Sequence, residues 1–198
     1  MPAKKACSAI STRQSFPTPA NLGALYAERG QHGEAESEFR QPLAIDRGFV
    51  PASANLADLY RMRGDEKTAE STLRAALKIN AKAASLHYAL GLALARQGRM
   101  TESIAELGQA ARLAPDYSRC AYTYGIAFHG SGKATDGIRV LANARQRFTG
   151  DVEILQALAT MERDRGRRRA ALDYAQKLAR LLPEDEQATA LLRELQRY

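Results

Sequence analysis

The 198-residue chain is 45% hydrophobic and lacks tryptophan, a length that admits one domain or two, and no apolar run approaches the ~20 residues of a membrane helix. Its net charge of +7 is not the continuous basic stripe of a nucleic-acid binder. Residues 1–15 carry +3, residues 16–117 balance twelve basic against twelve acidic side chains, residues 118–151 carry +3, and the rest adds +1.

Alanine and leucine are plentiful and β-branched residues scarce, which favours an all-α protein. Residues 1–15 read as a flexible leader. The stretch MPAKKACSAISTRQSFPTPA has lysines but no apolar core of the kind a secretory signal needs, so the expected location is cytoplasmic. A piece of a longer exported protein would leave the same trace. Cys7 and Cys120 show no CxxC, CxxCH or zinc-ligand spacing. Neither a disulfide between them nor a bound metal or cofactor is expected.

From residue 16 the sequence is periodic. Gly30, Gly64, Gly98, Gly132 and Gly166 stand 34 residues apart. In the same register run the small residues Gly23, Ala57, Gly91, Gly125 and Ala159, each preceded by Leu22, Leu56, Leu90, Tyr124 or Leu158. A second small column follows at Ala35, Ala69, Ser103, Gly137 and Ala171, with Phe39, Leu73, Leu107, Leu141 and Ala175 four residues later. Five units therefore fill residues 16–49, 50–83, 84–117, 118–151 and 152–185. The stretches NLGALYAERGQHGEAESEF and NLADLYRMRGDEKTAESTL closely resemble the tetratricopeptide repeat, a 34-residue helix–turn–helix with a Leu-Gly, Tyr, Gly, Ala, Phe, Ala, Pro pattern. The resemblance implies a right-handed superhelical solenoid of five helical hairpins, each covering the apolar face of its neighbour.

Local signals agree with that register. Thr18 with Pro19 and Val50 with Pro51 put proline in the first turn of a helix, where its missing N–H is not needed. Pro42 falls in the middle of a second helix, so a kink or an early helix end is expected near Gln41. The tyrosine column of Tyr26 and Tyr60 drifts to Leu94, Phe128 and Glu162, and with Pro42 in repeat 1 this marks repeats 1 and 5 as the weakest copies. Pro115 and Pro183 follow second helices, and residues 186–198 read as a capping helix with Ala188, Leu191, Leu192 and Leu195 on one side.

No catalytic chemistry is legible. His32, His87 and His129 do not converge, and no nucleophile–base pair has a known spacing, so no enzyme is expected. HGSGKAT (His129–Thr135) lacks the spacing of a phosphate loop and follows a helix rather than a strand. RDRGRRR (Arg163–Arg169) straddles the turn of repeat 5, with no interleaved aromatic on which a base could stack.

What remains is the concave face that the resemblance assigns to the first helix of each repeat. It implies a groove of Asn21, Asn55, Asp58, Arg61, Tyr88, Leu92, Arg96, Arg119, Tyr122, Ile126 and His129, together with Gln156, Thr160 and Arg163. The asparagines can pair with both donors and acceptors of a peptide backbone. Tyr88 and Tyr122 offer broad apolar contact with a polar tip, or else pack between neighbouring first helices. Arg96 and Arg119 suit the acidic groups of a protein or peptide ligand. The two-carboxylate clamp of chaperone-binding relatives is not reproduced: only Asn55 matches, with Ala20, Ala24, Ser85 and Ala89 at the other positions.

The resulting expectation is a non-enzymatic scaffold that binds a peptide segment or partner protein. Residues 120–148 also resemble the repeat tails of bacterial multihaem cytochrome-type proteins, which implies the alternative of an appendage in a larger redox complex. A nucleic-acid role ranks last. Repeat 1 lacks a preceding capping helix, leaving a face through which a homodimer could form.

Overall fold

A computed structural model describes residues 19–197. Among them are eleven helices and no strand. The expectations for the leader, Cys7 and Thr18 lie outside the described residues. The chain divides into two compact units, 1–117 and 118–198.

In the first unit the hairpins are α1 (Pro19–Glu28) with α2 (His32–Ile45), α3 (Val50–Met62) with α4 (Glu66–Ile79), and α5 (Ala84–Arg96) with α6 (Met100–Leu113). One core runs through them, built from Phe39, Leu56, Leu59, Leu73, Leu86, Leu90 and Leu94. In the second, α7 (Ser118–Gly130) pairs with α8 (Ala134–Arg147) and α9 (Val152–Asp164) with α10 (Arg168–Leu181). α11 (Glu186–Gln196) then lies against α10, burying Ala188 and Leu195 and half-burying Leu191 and Leu192. Its N-cap is Asp185, whose carboxylate accepts the amide of Ala188 at 2.7 Å, satisfying a donor that the helix itself cannot.

The five turn glycines are the described residues with positive φ, from +72° at Gly166 to +79° at Gly132. An L side chain rarely takes that backbone conformation, so the 34-residue glycine period is the period of the turns. The helical glycines do something else. A Cβ on Gly91 would lie 2.6 Å from Leu107 Cγ, and one on Gly125 would lie 2.6 Å from Leu141 Cγ. Each of these hairpins therefore closes by setting a leucine of its second helix directly onto a bare backbone of its first. Close packing at these points offsets the ~1 kcal/mol that glycine costs a helix relative to alanine.

At Pro42 the expected early helix end does not occur: α2 continues as helix through Gln41 to Ile45 with Pro42 inside it. Only one further turn follows the proline, and its end is held by the Asp46 amide donating to Pro42 O at 2.8 Å. Pro51 stands in the first turn of α3 as expected.

Candidate functional site

The first helices α3, α5 and α9 bury about half or more of their residues, whereas α1 and α7 bury only a few. In the first unit the expected groove face carries Asn21 and Asn55, both half-buried, exposed Asp58, half-buried Leu92, and three arginine or tyrosine positions with settled partners. Arg61 Nε donates to Asp58 Oδ1 at 2.6 Å, a contact that raises the Arg61 pKa. Arg96 Nε donates to Glu66 Oε1 of α4 at 2.9 Å. Tyr88 is only 6% exposed, so little of its side chain is left accessible.

In the second unit α7 places Arg119, Tyr122, Ile126 and His129 at helical spacing along one side. The Arg119 side chain is 59% exposed and sits 3.9 Å from Glu153 Oε1 of α9, beyond hydrogen-bond reach. Tyr122 and Ile126 are half-buried and rest against the core formed by Leu141, Ile154 and Leu158. Partial burial pushes the Tyr122 phenol above its usual pKa, and the Glu153 carboxylate adds to the effect, keeping the hydroxyl protonated and able to donate. His129 is half-buried with Nδ1 shielded and unpartnered among the described residues. Gln156 is exposed and Thr160 half-buried on α9. Arg163 is occupied by Asp164 at 3.0 Å and Glu194 at 3.3 Å. α7 thus offers a cation, an aromatic and an aliphatic group in a row, without a charged partner hydrogen-bonded to the cation.

Other candidates resolve as structural. His87 is held on both ring nitrogens, Nδ1 2.6 Å from Glu106 Oε2 and Nε2 2.9 Å from Ala81 O. Among the described residues no cluster of three metal-ligating side chains forms, and no helix is long and apolar enough to cross a membrane. The second glycine of HGSGKAT, Gly132, is the φ +79° turn residue between α7 and α8.

Sequence reasoning missed a set of polar joints between successive hairpins. Glu36 of α2 accepts from the Tyr60 hydroxyl at 2.9 Å and from Arg63 Nη1 at 2.9 Å, while Arg40 pairs with it at 2.7 Å. One repeat later Glu70 accepts from Arg74 at 2.7 Å, Gln97 at 3.1 Å and Arg99 at 2.7 Å. The signal was present in the 34-residue spacing of Glu36 with Glu70 and of Arg40 with Arg74. It lay outside the apolar columns on which the repeat was recognised.

Comparison with known proteins agrees with this architecture. Family models of the tetratricopeptide repeat match residues 26–93 and 84–117. With five in-register hairpins, the chain is a tetratricopeptide repeat protein. A sequence search of curated proteins finds no match. Among solved structures, one of Pseudomonas aeruginosa PilF superposes with a TM-score of 0.74 at 21% identity, covering 98% of this chain and 85% of that one. A crystal structure of MamA gives 0.68 at 19% identity, covering 89% and 98% respectively. That of YrrB, described as a repeat protein with an unusual peptide-binding site, gives 0.68 at 16% identity and covers 98% of both chains. Identities this low establish the shared fold alone.

Proposed function

We propose that this protein is a non-enzymatic interaction scaffold that holds a peptide segment or partner protein on the concave face of its first helices. The observation that carries the reading is the α7 row of Arg119, Tyr122 and Ile126. A 59% exposed guanidinium stands one turn from a half-buried phenol and two turns from an aliphatic side chain, on a helix that buries Cys120, Gly125 and Ala127. An aromatic anchor beside a cation is the composition that dominates binding hot spots, and an arginine without a bonded carboxylate has bidentate capacity to spare. The ligand this row fits has an acidic group next to an apolar side chain. The peptide-binding relative of the same fold supports the reading by analogy of architecture.

The test is selection of a displayed random-peptide library on the wild-type protein, followed by titration of one enriched peptide against an R119A/Y122A variant whose helicity is unchanged by circular dichroism. Enriched peptides sharing an acidic and an apolar residue, with affinity at least tenfold weaker for the variant, support the groove. Equal binding by both proteins refutes it.

A further inference from the structure

The turn of every repeat occupies the same register, yet its charge changes along the chain. In repeat 1, residues 27–38 hold Glu28, Glu34, Glu36 and Glu38 against Arg29, a net −3. The matching residues 61–72 and 95–106 are neutral. Residues 129–140 carry +1, and residues 163–174 hold five arginines against Asp164 and Asp173, a net +3.

Internal pairing consumes only part of these charges: Glu36 is held by Arg40 and Arg63, and Arg163 by Asp164 and Glu194. Glu28 and Glu34 are exposed and make no ion pair among the described residues. At the other turn Arg165 is half-exposed and Arg169 exposed, again unpaired among the described residues, and the Arg167 side chain is 59% exposed, 4.0 Å from Glu162 Oε2. α10 has no acidic residue in its first turn, unlike α2, α4, α6 and α8, each of which has one. The arginines flank an open depression of about 750 Å³ lined by Gly166 to Ala170 and Asp173.

We infer that these two turns recognise each other between molecules: the acidic turn of repeat 1 on one copy docks against the basic turn of repeat 5 on a second copy. The two turns carry net charge of opposite sign, and no aromatic interleaves with the arginines of residues 163–169 to stack a base. Because two different patches meet, the contact is heterologous and links copies head to tail. Exposed pairs contribute little singly, so the association depends on several at once and weakens as salt screens them. This inference is independent of the groove reading, since neither turn includes the α7 row.

The experiment is sedimentation velocity on the full chain, at low ionic strength and again at about 0.5 M salt, where the screening length falls to a few ångströms. Wild type is expected above the monomer mass of 21.7 kDa at low salt and monomeric at high salt. E28K/E34K and R165E/R169E are each expected to be monomeric at low salt. The variant carrying all four reversals is expected to associate again, because its complementarity is restored with opposite sign. A wild type that is monomeric throughout overturns the inference, as does an oligomer that survives either reversal or a four-site variant that stays monomeric.

Discussion

Ser103 Oγ donates to Gly91 O at 2.7 Å in the interior of repeat 3, pinning α6 to α5 where Leu107 sits on the bare glycine. The equivalent closure in repeat 4 is tighter, because both helices present glycine: a Cβ on Gly137 would lie 2.5 Å from Gly125 O and 2.8 Å from Met161 Cε. Backbone cannot rotate aside as a side chain can. Gly91→Ala therefore costs ~1–3 kcal/mol through overpacking, partly offset by the gain in helix propensity of up to ~1 kcal/mol. Gly137→Ala costs more. Gly33, by contrast, has open space where a Cβ would stand, with no heavy atom within 4 Å, and Gly33→Ala is expected to raise stability by up to ~1 kcal/mol. Urea denaturation of the three variants checks the order; a Gly137→Ala no worse than Gly91→Ala refutes the backbone argument.

The polar joints make stability depend on pH. Burial alone would raise the Glu70 pKa, but hydrogen bonds from Arg74, Arg99 and Gln97 outweigh it and the net shift is downward. Glu102 is also lowered, chiefly by its hydrogen bond from Arg99. A carboxylate whose folded pKa is depressed stabilises the fold above its unfolded value, about 4.3 for Glu, and loses that contribution as pH falls through the lower folded value. Thermal unfolding of wild type and Glu70→Gln is expected to show wild type more stable at neutral pH. The gap should shrink as pH falls below about 4.3 and close once pH passes below the depressed folded value, where Glu70 is protonated in both states. A gap that stays constant down to pH 3 removes the joint as the source of the pH dependence.

Pro42 offers a simple gain. It removes one backbone donor inside α2, and mid-helix proline costs up to ~3 kcal/mol. Its position one turn from the end limits the damage to a single bond, which is why the helix runs on to Ile45. Pro42→Ala is expected to stabilise the protein by ~1–3 kcal/mol, read as a higher urea midpoint. A lower midpoint shows that the ring contributes packing that outweighs the bond.

Periodicity made the fold legible, and the reason is visible in two columns. Gly64 and Gly98 must be glycine because φ is positive, while Gly91 is small because Leu107 leaves no room. Both constraints are geometric, so they recur at each repeat and survive drift elsewhere. The candidate site was less legible. Register alone places Tyr88 and Tyr122 at the same point of successive repeats, yet one is buried and the other half-exposed. Likewise Arg96 and Arg119 read alike until Glu66 is found bonded to the first at 2.9 Å and Glu153 no nearer than 3.9 Å to the second. Those partners lie on other helices, and neither Glu66 nor Glu153 is repeated as an acidic residue at the 34-residue spacing.

Glu162 carries the last prediction. It stands in the column that holds Tyr60 in repeat 2 and Leu94 in repeat 3. Tyr60 meets Glu36 there, but the residue matching Glu36 ahead of repeat 5 is Ile138, so Glu162 finds no equivalent donor or acceptor. It is 5% exposed with Oε2 lacking a hydrogen bond among the described residues, and the guanidinium nearest that oxygen is Arg167 at 4.0 Å. Replacing a poorly paired buried charge with an apolar residue of similar size is commonly neutral or stabilising by ~1–4 kcal/mol. Leu94, fully buried at the same register, shows that the fold accepts leucine in this slot. Glu162→Leu is therefore expected to raise the urea midpoint, and Arg167, already largely in solvent, is left without a buried-charge penalty. Glu162→Gln, which keeps the shape and removes the charge, is expected to fall between the two. If Glu162→Leu lowers the midpoint, the Arg167 pair stabilises repeat 5 more than its 4.0 Å separation implies.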